Sequence, residues 1–184
     1  TLRPATDGYF SVGFTGSPTF EVQQAEEIWQ PLIWQEKSFP DKSYLTLAYR
    51  APLPTTMVRA AGANYGFPAH PKEFPFDPLP LATNSRFGVL LRNADGKAQP
   101  MLFAPVLGGI ESKMKSGDQF TFSSYLVAQK GGSISDTYET LARDVYGFRD
   151  YRRNAIASLN TTLENMIDYS LTDYAWFEGK LKGH

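Results

Sequence analysis

Few side chains in this sequence have the chemistry of a metal ligand or a nucleophile. The chain has two histidines, His70 and His184, and no cysteine, so disulfides, thiolate catalysis and cysteine-based metal sites are excluded. A zinc site needs three or four protein ligands. A serine–histidine–aspartate triad would have to use His70, yet the sequence lacks a Gly-x-Ser-x-Gly elbow. We expect no metal and no cofactor, and we interpret His70 as a loop histidine bonded to backbone or water.

Carboxylates are abundant, but the sequence does not show which of them face each other. A glycoside hydrolase needs two carboxyl groups at a fixed separation across the sugar. Glu73 and Asp77 lie close together in a proline-rich segment, so a small enzyme with its site in that segment is one hypothesis. Two glycine-containing stretches, 8–13 and 62–66, lack the spacing of phosphate-binding loops. We interpret both stretches as turns and edges.

Aromatic residues form the cluster whose composition best fits a binding function. They make up 14% of the chain, and exposed rings in β-sandwich proteins can stack on the faces of sugars. The candidate carbohydrate-binding residues are Trp29, Trp34, Tyr65, Phe67 and His70. The alternative is that these rings fasten loops onto the core, which is what most aromatic side chains do.

Composition and charge limit the class of partner. The chain has 184 residues, of which 42% are hydrophobic and 20% charged, and its net charge is −1. These values are typical of one globular domain with a core, without the basic surface that nucleic acid requires. No apolar run reaches the roughly 18 residues of a membrane span. We expect neither a nucleic-acid partner nor a membrane span. No signal peptide is evident, and a first residue other than Met suggests that upstream residues were removed.

Alternating apolar and polar residues predict many short strands before residue 130. The predicted strands are 8–14, 19–22, 28–35, 43–49, 56–60, 86–92, 99–106 and 119–128. Asp95-Gly96 predicts a hairpin turn over 93–97, and a bulge at Ser123-Ser124 would realign the last strand. Residues 62–80 hold five of the 13 prolines, which predicts a long ordered loop or crossover without helix or central strand. Long loops of this kind often carry function.

The hydrophobic period changes to 3.6 after residue 133 and predicts two helices, 136–147 and 151–174. Asp136 and Glu139 fit a capping box, and Gly147 fits a helix C-terminus. The second helix has an apolar stripe that must be buried on something; it comprises Ile156, Leu159, Leu163, Met166 and Ile167. We therefore predict a mainly β fold: an antiparallel β-sandwich followed by a C-terminal helical segment, α+β overall. The predicted domains are a sandwich at 1–132 and a helical linker or tail at 133–184.

The stretches 113–122, 137–152 and 158–163 resemble the N-terminal β-sandwich and linker helices of bacterial six-hairpin glycosidases. In that family the linker helices lead into an (α/α)6 catalytic barrel. The resemblance implies that the catalytic domain follows residue 184 and that no catalytic residue can be assigned in this chain. It also implies a carbohydrate ligand and a periplasmic or extracellular location.

Three functions stay open at this point. The chain is the sandwich and linker of a larger carbohydrate-active enzyme, a free-standing carbohydrate-binding or surface-adhesion module, or a small enzyme. The helices favour the first function, because a lone binding module rarely needs them. We expect these C-terminal helices to pack on a further domain or on a second chain.

Overall fold

The computed structural model describes residues 1–32, 41–75, 81–148, 158–174, 176–177 and 180–181. The chain divides into two compact units, Thr1–Phe148 and Arg149–His184.

The first unit is built from two four-stranded antiparallel sheets. Its strands are β1 (Gly8–Tyr9), β2 (Val12–Phe14), β3 (Glu27–Trp29), β4 (Thr46–Leu47), β5 (Met57–Ala60), β6 (Ala63–Gly66), β7 (Gly88–Arg92), β8 (Ala98–Ala104), β9 (Lys113–Met114) and β10 (Val127–Lys130). One sheet has the order β2-β8-β7-β4, the other has the order β10-β6-β5-β3, and β1 pairs with β9. The predicted antiparallel sandwich is confirmed.

Alternation along the strands produces the core between the sheets. In β8, four buried residues alternate with half-buried ones, which is the period of a strand with one face on the core. Val58 of β5 packs with Leu91 of β7 and Ala98 of β8, so this cluster joins the two sheets. Burying each large apolar side chain contributes about 1.5–3 kcal/mol. The Thr56 hydroxyl adds a polar link between the sheets by donating to the Leu90 carbonyl at 2.9 Å.

The predicted hairpin at 93–97 is confirmed. Asn93 N–H donates to the Lys97 carbonyl at 3.0 Å, and the Asn93 side-chain oxygen accepts from the backbone N–H groups of Asp95 and Lys97, each at 3.0 Å. Gly96 has φ +79°, a conformation that glycine adopts without the steric cost of a side chain.

The prediction that residues 62–80 contain no central strand was wrong for their first part. β6 lies inside its sheet between β5 and β10, because the prolines begin at Pro68 and leave the N–H groups of 63–66 free for pairing. Gly66 is required there, since a Cβ would lie 2.8 Å from Met57 Cγ. Farther on, the segment forms a 3₁₀ turn at Pro71–Glu73.

Two predicted strands are shorter than their sequence patterns indicate. The stretch 43–49 contains only β4 before the chain turns into a 3₁₀ helix at Ala48–Arg50. The stretch 119–128 makes isolated bridges at Phe120 and Ser124 before β10 begins. The rings of Phe120 and Phe122 nevertheless lie together, with centroids 6.4 Å apart, on the face that the alternation predicts.

The first helix begins earlier than predicted. α1 (Ile134–Thr140) continues into a π-helical turn at Leu141–Val145. Its N-cap is Ser133, and the capping box pairs Ser133 with Asp136 rather than Asp136 with Glu139. Gly147 ends the turn with φ +68°.

The contacts of α1 place it in the first compact unit. Ile134 and Leu141 are buried against Leu53 and Met57 of the sandwich. This packing explains why the first unit ends at Phe148, whereas the domain boundary predicted from the sequence lies between 132 and 133.

The second unit contains α2 (Leu159–Tyr169), a π-helical turn at Ser170–Tyr174, and the paired strands β11 (Trp176–Phe177) and β12 (Lys180–Leu181). Part of the helix predicted at 151–174 lies outside the described residues, including Ile156 of its stripe. The large apolar side chains of α2 are exposed: Leu159, Leu163, Met166 and Ile167. Among the described residues, no helix is long and apolar enough to cross a membrane.

Candidate functional site

A cleft of about 660 Å³ opens on the first unit. Four separate parts of the chain line it: the turn at Ala48–Arg50 with the residues after it, the turn at Pro71–Glu73, residues 84–86 before β7, and the end of the helical segment after α1. The side chains that define its character are Tyr49, Arg50, Phe74, Arg86, Tyr146 and Phe148. Its volume lies in the range of about 300–1,000 Å³ that is usual for small-molecule sites.

Local hydrogen bonds fix the two turns that frame the cleft. His70 caps the turn at Pro71–Glu73, since its Nδ1 accepts from the Lys72 N–H at 3.1 Å. Pro71 occupies the first position of that turn, where no N–H is needed. On the opposite side, Tyr49 N–H donates to the Ser85 hydroxyl at 3.3 Å. The cleft therefore has anchored edges.

A partly buried ion pair forms part of the cleft wall. Glu73 is 3% exposed; one of its oxygens pairs with the Arg86 guanidinium, and the other accepts from the Ser123 N–H at 3.0 Å. Arg86 also donates to Glu111 at 2.8 Å and lies over the Phe120 ring. Both oxygens of Glu73 are thus engaged by partners within the fold.

The charge of Arg86 is stabilised by its two carboxylate partners. Burial opposes the charged form, but hydrogen bonds and charge interactions with Glu111 and Glu73 outweigh burial and raise the pKa of Arg86 above its ordinary value. Arg86 therefore stays paired inside the fold, and its main role is to hold the Pro71–Glu73 turn to the strand region.

Aromatic rings form the other walls. Tyr146 donates its hydroxyl to the Ala69 carbonyl at 2.6 Å, and burial raises the pKa of Tyr146, so it remains a donor. Phe74 packs edge-on against the core ring of Phe87 at 6.2 Å. The Phe148 ring lies 6.0 Å from the Tyr146 ring and is 49% exposed. Phe148 offers open ring surface, while the other two rings are fixed.

Arg50 is exposed at the cleft. Its Nε donates to the Tyr49 hydroxyl at 3.0 Å, and its guanidinium lies over the Tyr49 ring, 5.4 Å from the centroid. Within the described parts of the chain, Arg50 forms no ion pair. The Tyr49 side chain therefore orients a cation that forms no ion pair with any carboxylate of the described residues.

The structure places the sequence-predicted site residues in separate environments and none of the described ones in this cleft. Trp29 is 37% exposed and packs on Tyr138 with ring centroids 4.8 Å apart. Tyr65 packs on Phe20. Phe67 is buried in the core. These contacts match the alternative that rings fasten loops and helices to the sandwich.

His70 and Trp34 complete the predicted set. The His70 ring stacks on Tyr125 with centroids 5.2 Å apart, and its Nδ1 is used in the cap described above, as expected for a loop histidine bonded to backbone. Trp34 lies outside the described residues. Carbohydrate binding at these five positions stays a prediction.

Sequence reasoning missed the cleft residues. Tyr49 ends the predicted strand 43–49 and Arg50 follows it, while Phe148 comes directly after the predicted helix 136–147. The sequence does show an aromatic ring and a guanidinium group, those of Tyr49 and Arg50, next to the end of a predicted strand. Nothing in the sequence indicated that residues near 50, 74, 86 and 148 meet.

The described residues contain no group of three or more histidine, cysteine, aspartate or glutamate side chains that could hold a metal ion. The cleft therefore offers ring faces, guanidinium groups and one engaged carboxylate.

In comparisons with known proteins, no family model, no curated protein and no solved structure matches this chain.

Proposed function

We propose that this chain is the non-catalytic β-sandwich and linker portion of a larger bacterial carbohydrate-active enzyme, located in the periplasm or outside the cell. We propose further that the cleft between Arg50 and Phe148 binds a saccharide. The resemblance to the N-terminal region of six-hairpin glycosidases suggested the enzyme class. The aromatic cleft supports the binding role, because ring and guanidinium side chains line it together.

The observation that carries the binding role is the combination of ring surface and polar groups in one open cleft. Sugars present apolar C–H faces and polar hydroxyl edges, so they bind where aromatic faces and hydrogen-bonding side chains converge. Phe148 supplies a half-exposed ring, and Arg50 supplies hydrogen-bond donors beside it in the same cleft.

The state of Glu73 supports binding rather than catalysis. Glycoside hydrolysis uses two carboxyl groups, about 5–9.5 Å apart depending on mechanism, and one of them must exchange a proton. Glu73 is the one carboxylate among the described residues that line the cleft, and both its oxygens are engaged. The hypothesis of a small enzyme centred on Glu73 is therefore disfavoured.

The tail supports the linker part of the proposal over a free-standing binding or adhesion module. Leu163 and Ile167 of α2 are 48% and 56% exposed, and a helix with such a face normally buries it. We propose that α2 packs on a further domain of the same protein or on a second chain. A free-standing module would share the cleft but would not need this face.

Binding measurements on the purified chain test the proposal. We expect at least one oligosaccharide from a broad panel to bind in isothermal titration calorimetry, without release of reducing sugar. Phe148→Ala should raise the Kd by roughly 3- to 10-fold, since a ring contact contributes about 0.5–1.5 kcal/mol beyond its buried area. Tyr9→Ala is the matched control, because Tyr9 is 60% exposed and lies outside the cleft. Absence of binding across the panel, or turnover by the chain, contradicts the proposal.

A further inference from the structure

The two arginines of the cleft differ in a way that bears on the charge of its ligand. Arg86 faces two carboxylates, Glu73 and Glu111, and its charge is neutralised within the fold. Arg50 faces none among the described residues. The charged side chains among the described residues that line the cleft are Arg50, Arg86 and Glu73. Glu73 offsets Arg86, so this lining retains the positive charge of Arg50.

The hydrogen bonds of Arg50 leave the outer edge of its guanidinium open. Its Nε is held by the Tyr49 hydroxyl at 3.0 Å, and the plane of the group is supported by the Tyr49 ring. In the described part of the chain, the two terminal nitrogens, Nη1 and Nη2, have no hydrogen-bond partner. A planar pair of donors on an oriented guanidinium matches the two oxygens of a carboxylate.

We infer that the ligand of this cleft is an acidic saccharide whose carboxylate binds Arg50, that is, a uronic acid unit. This inference rests on the proposed function and narrows its substrate class. The ring of Phe148, which lines the same cleft, would contact the apolar face of the sugar. The Tyr49 side chain acts as a positioning residue, because it orients Arg50.

Charge supports a uronate over a neutral sugar. Among the described residues, a neutral saccharide would leave the cation of Arg50 without a counter-charge, while a uronate would pair it with an anion through two parallel N–H···O bonds, which add both energy and geometric specificity. Arg50 is exposed, so added salt should weaken the interaction by screening.

The test compares matched ligands on the intact chain by isothermal titration calorimetry. The probes are short oligomers of galacturonate, glucuronate and mannuronate, their methyl esters, which keep the shape and remove the charge, and the corresponding neutral oligomers. We expect at least one uronate oligomer to bind roughly 10-fold or more tightly than its ester, with the difference reduced at high salt.

Variants then assign the effect to Arg50. Arg50→Gln should raise the Kd for the uronate by roughly 10- to 100-fold and the Kd for the ester by a much smaller factor, because the ester loses only hydrogen bonds to neutral oxygens. Arg3→Gln removes an exposed positive charge outside the cleft and should change neither value. Tyr49→Phe removes the hydroxyl that holds Nε and should give a smaller loss, confined to the uronate.

The outcomes separate this inference from the function on which it rests. Equal binding of acid, ester and neutral oligomers, unaffected by Arg50→Gln, overturns the inference and leaves saccharide binding in place. A uronate preference that survives Arg50→Gln also overturns it, because the charge would then be recognised elsewhere. Failure of every saccharide to bind overturns both.

Discussion

Glu73 shows how one residue can resemble a catalytic group in sequence and serve another purpose in the fold. A glutamate in a proline-rich loop, near an aspartate, fits the pattern of an acid–base pair. In the structure, its buried carboxylate joins the Pro71–Glu73 turn to Arg86 and to the Ser123 N–H. The residue therefore shapes the cleft by holding one of its edges.

Glu73→Gln should lower the free energy of unfolding by about 1–3 kcal/mol. The change leaves Arg86 without its most buried partner, and breaking a fully buried pair costs about 3–5 kcal/mol. The smaller value is expected because Arg86 keeps Glu111 and is partly exposed. Urea denaturation measures the change. Glu111→Gln, at a 41% exposed side chain, is the control and should cost less. A larger loss for Glu111→Gln contradicts the account.

Among the elements, α1 depends on a cap whose parts come from two places in the sequence. Ser133 accepts from the Asp136 N–H at 3.2 Å, and Asp136 accepts from the Ser133 N–H at 2.8 Å. The buried Asn64 of β6 donates to the Ser133 carbonyl at 2.9 Å and to the Thr137 hydroxyl at 2.8 Å. The helix start is thereby joined to an interior strand of the sandwich.

Removal of the N-cap side chain by Ser133→Ala should destabilise the first unit by about 1 kcal/mol. The substitution leaves the Asp136 N–H without its acceptor in the cap. Thermal or urea unfolding of the variant measures the loss. Thr140→Ala is the comparison, because the Thr140 hydroxyl bonds only to a carbonyl of its own helix and should cost less. Equal losses of stability for the two variants would show that the Ser133 cap stabilises the first unit no more than the Thr140 hydrogen bond does.

Asp136 makes the cap sensitive to pH. Hydrogen bonds from the Ser133 backbone and then from its hydroxyl lower the pKa of Asp136 below its ordinary value of 3.8. The stabilisation is therefore fully present above pH 3.8 and is lost as the pH falls below 3.8 through the lower pKa of the folded state. We expect Asp136→Asn to lower the melting temperature at pH 7, with a difference from the wild type that shrinks toward pH 3.

Glu139→Gln is the control for this pH effect, since Glu139 is the partner that the sequence pattern alone assigned to the capping box. Its side chain is 77% exposed and lies 3.9 Å from Arg143, an arrangement that contributes little. A drop in melting temperature for Glu139→Gln, with none for Asp136→Asn, would favour the predicted capping box of Asp136 and Glu139 over the observed one of Ser133 and Asp136.

Whether the sequence predicts an element depends on whether the residues that form it are close together along the chain. The hairpin at 93–97 and Gly147 at the helix end follow from local backbone preferences and were predictable. The proline content of 62–80 does not predict β6, because residues 63–66 contain no proline and keep their N–H groups for pairing. The cleft was not predictable: Tyr49, Phe74, Arg86 and Phe148 meet only through sheet pairing and the packing of α1.

The molecule as a whole presents a well-packed first unit and a second unit whose helix exposes its apolar side chains. Leu163, Met166 and Ile167 are 48–60% exposed. Leaving them in water forgoes about 1.5–3 kcal/mol for each large side chain that could be fully buried. Large exposed apolar patches commonly mark interaction sites, and this is the reason for proposing a partner for the face.

The exposed face of α2 should cause the chain to self-associate when no other partner is present. We expect sedimentation velocity at micromolar concentration to show species larger than a monomer, and Leu163→Glu with Ile167→Glu to convert them to monomer. Asn165→Glu is the control, because residue 165 lies on the opposite side of the helix. A wild-type chain that is a clean monomer, with both glutamates tolerated and no change in melting temperature, would show that the face has no partner.

Saccharide binding in the cleft is the central claim, and mapping the bound ligand by ¹H–¹⁵N chemical-shift changes tests it most directly. The uronate oligomer with the lowest Kd is titrated into labelled protein. The account predicts that the largest shifts occur at the amides of Tyr49, Arg50, Arg86 and Phe148, while Tyr9 is unaffected. Shifts centred on Trp29 and Tyr138, or no shifts at saturating ligand, would contradict it.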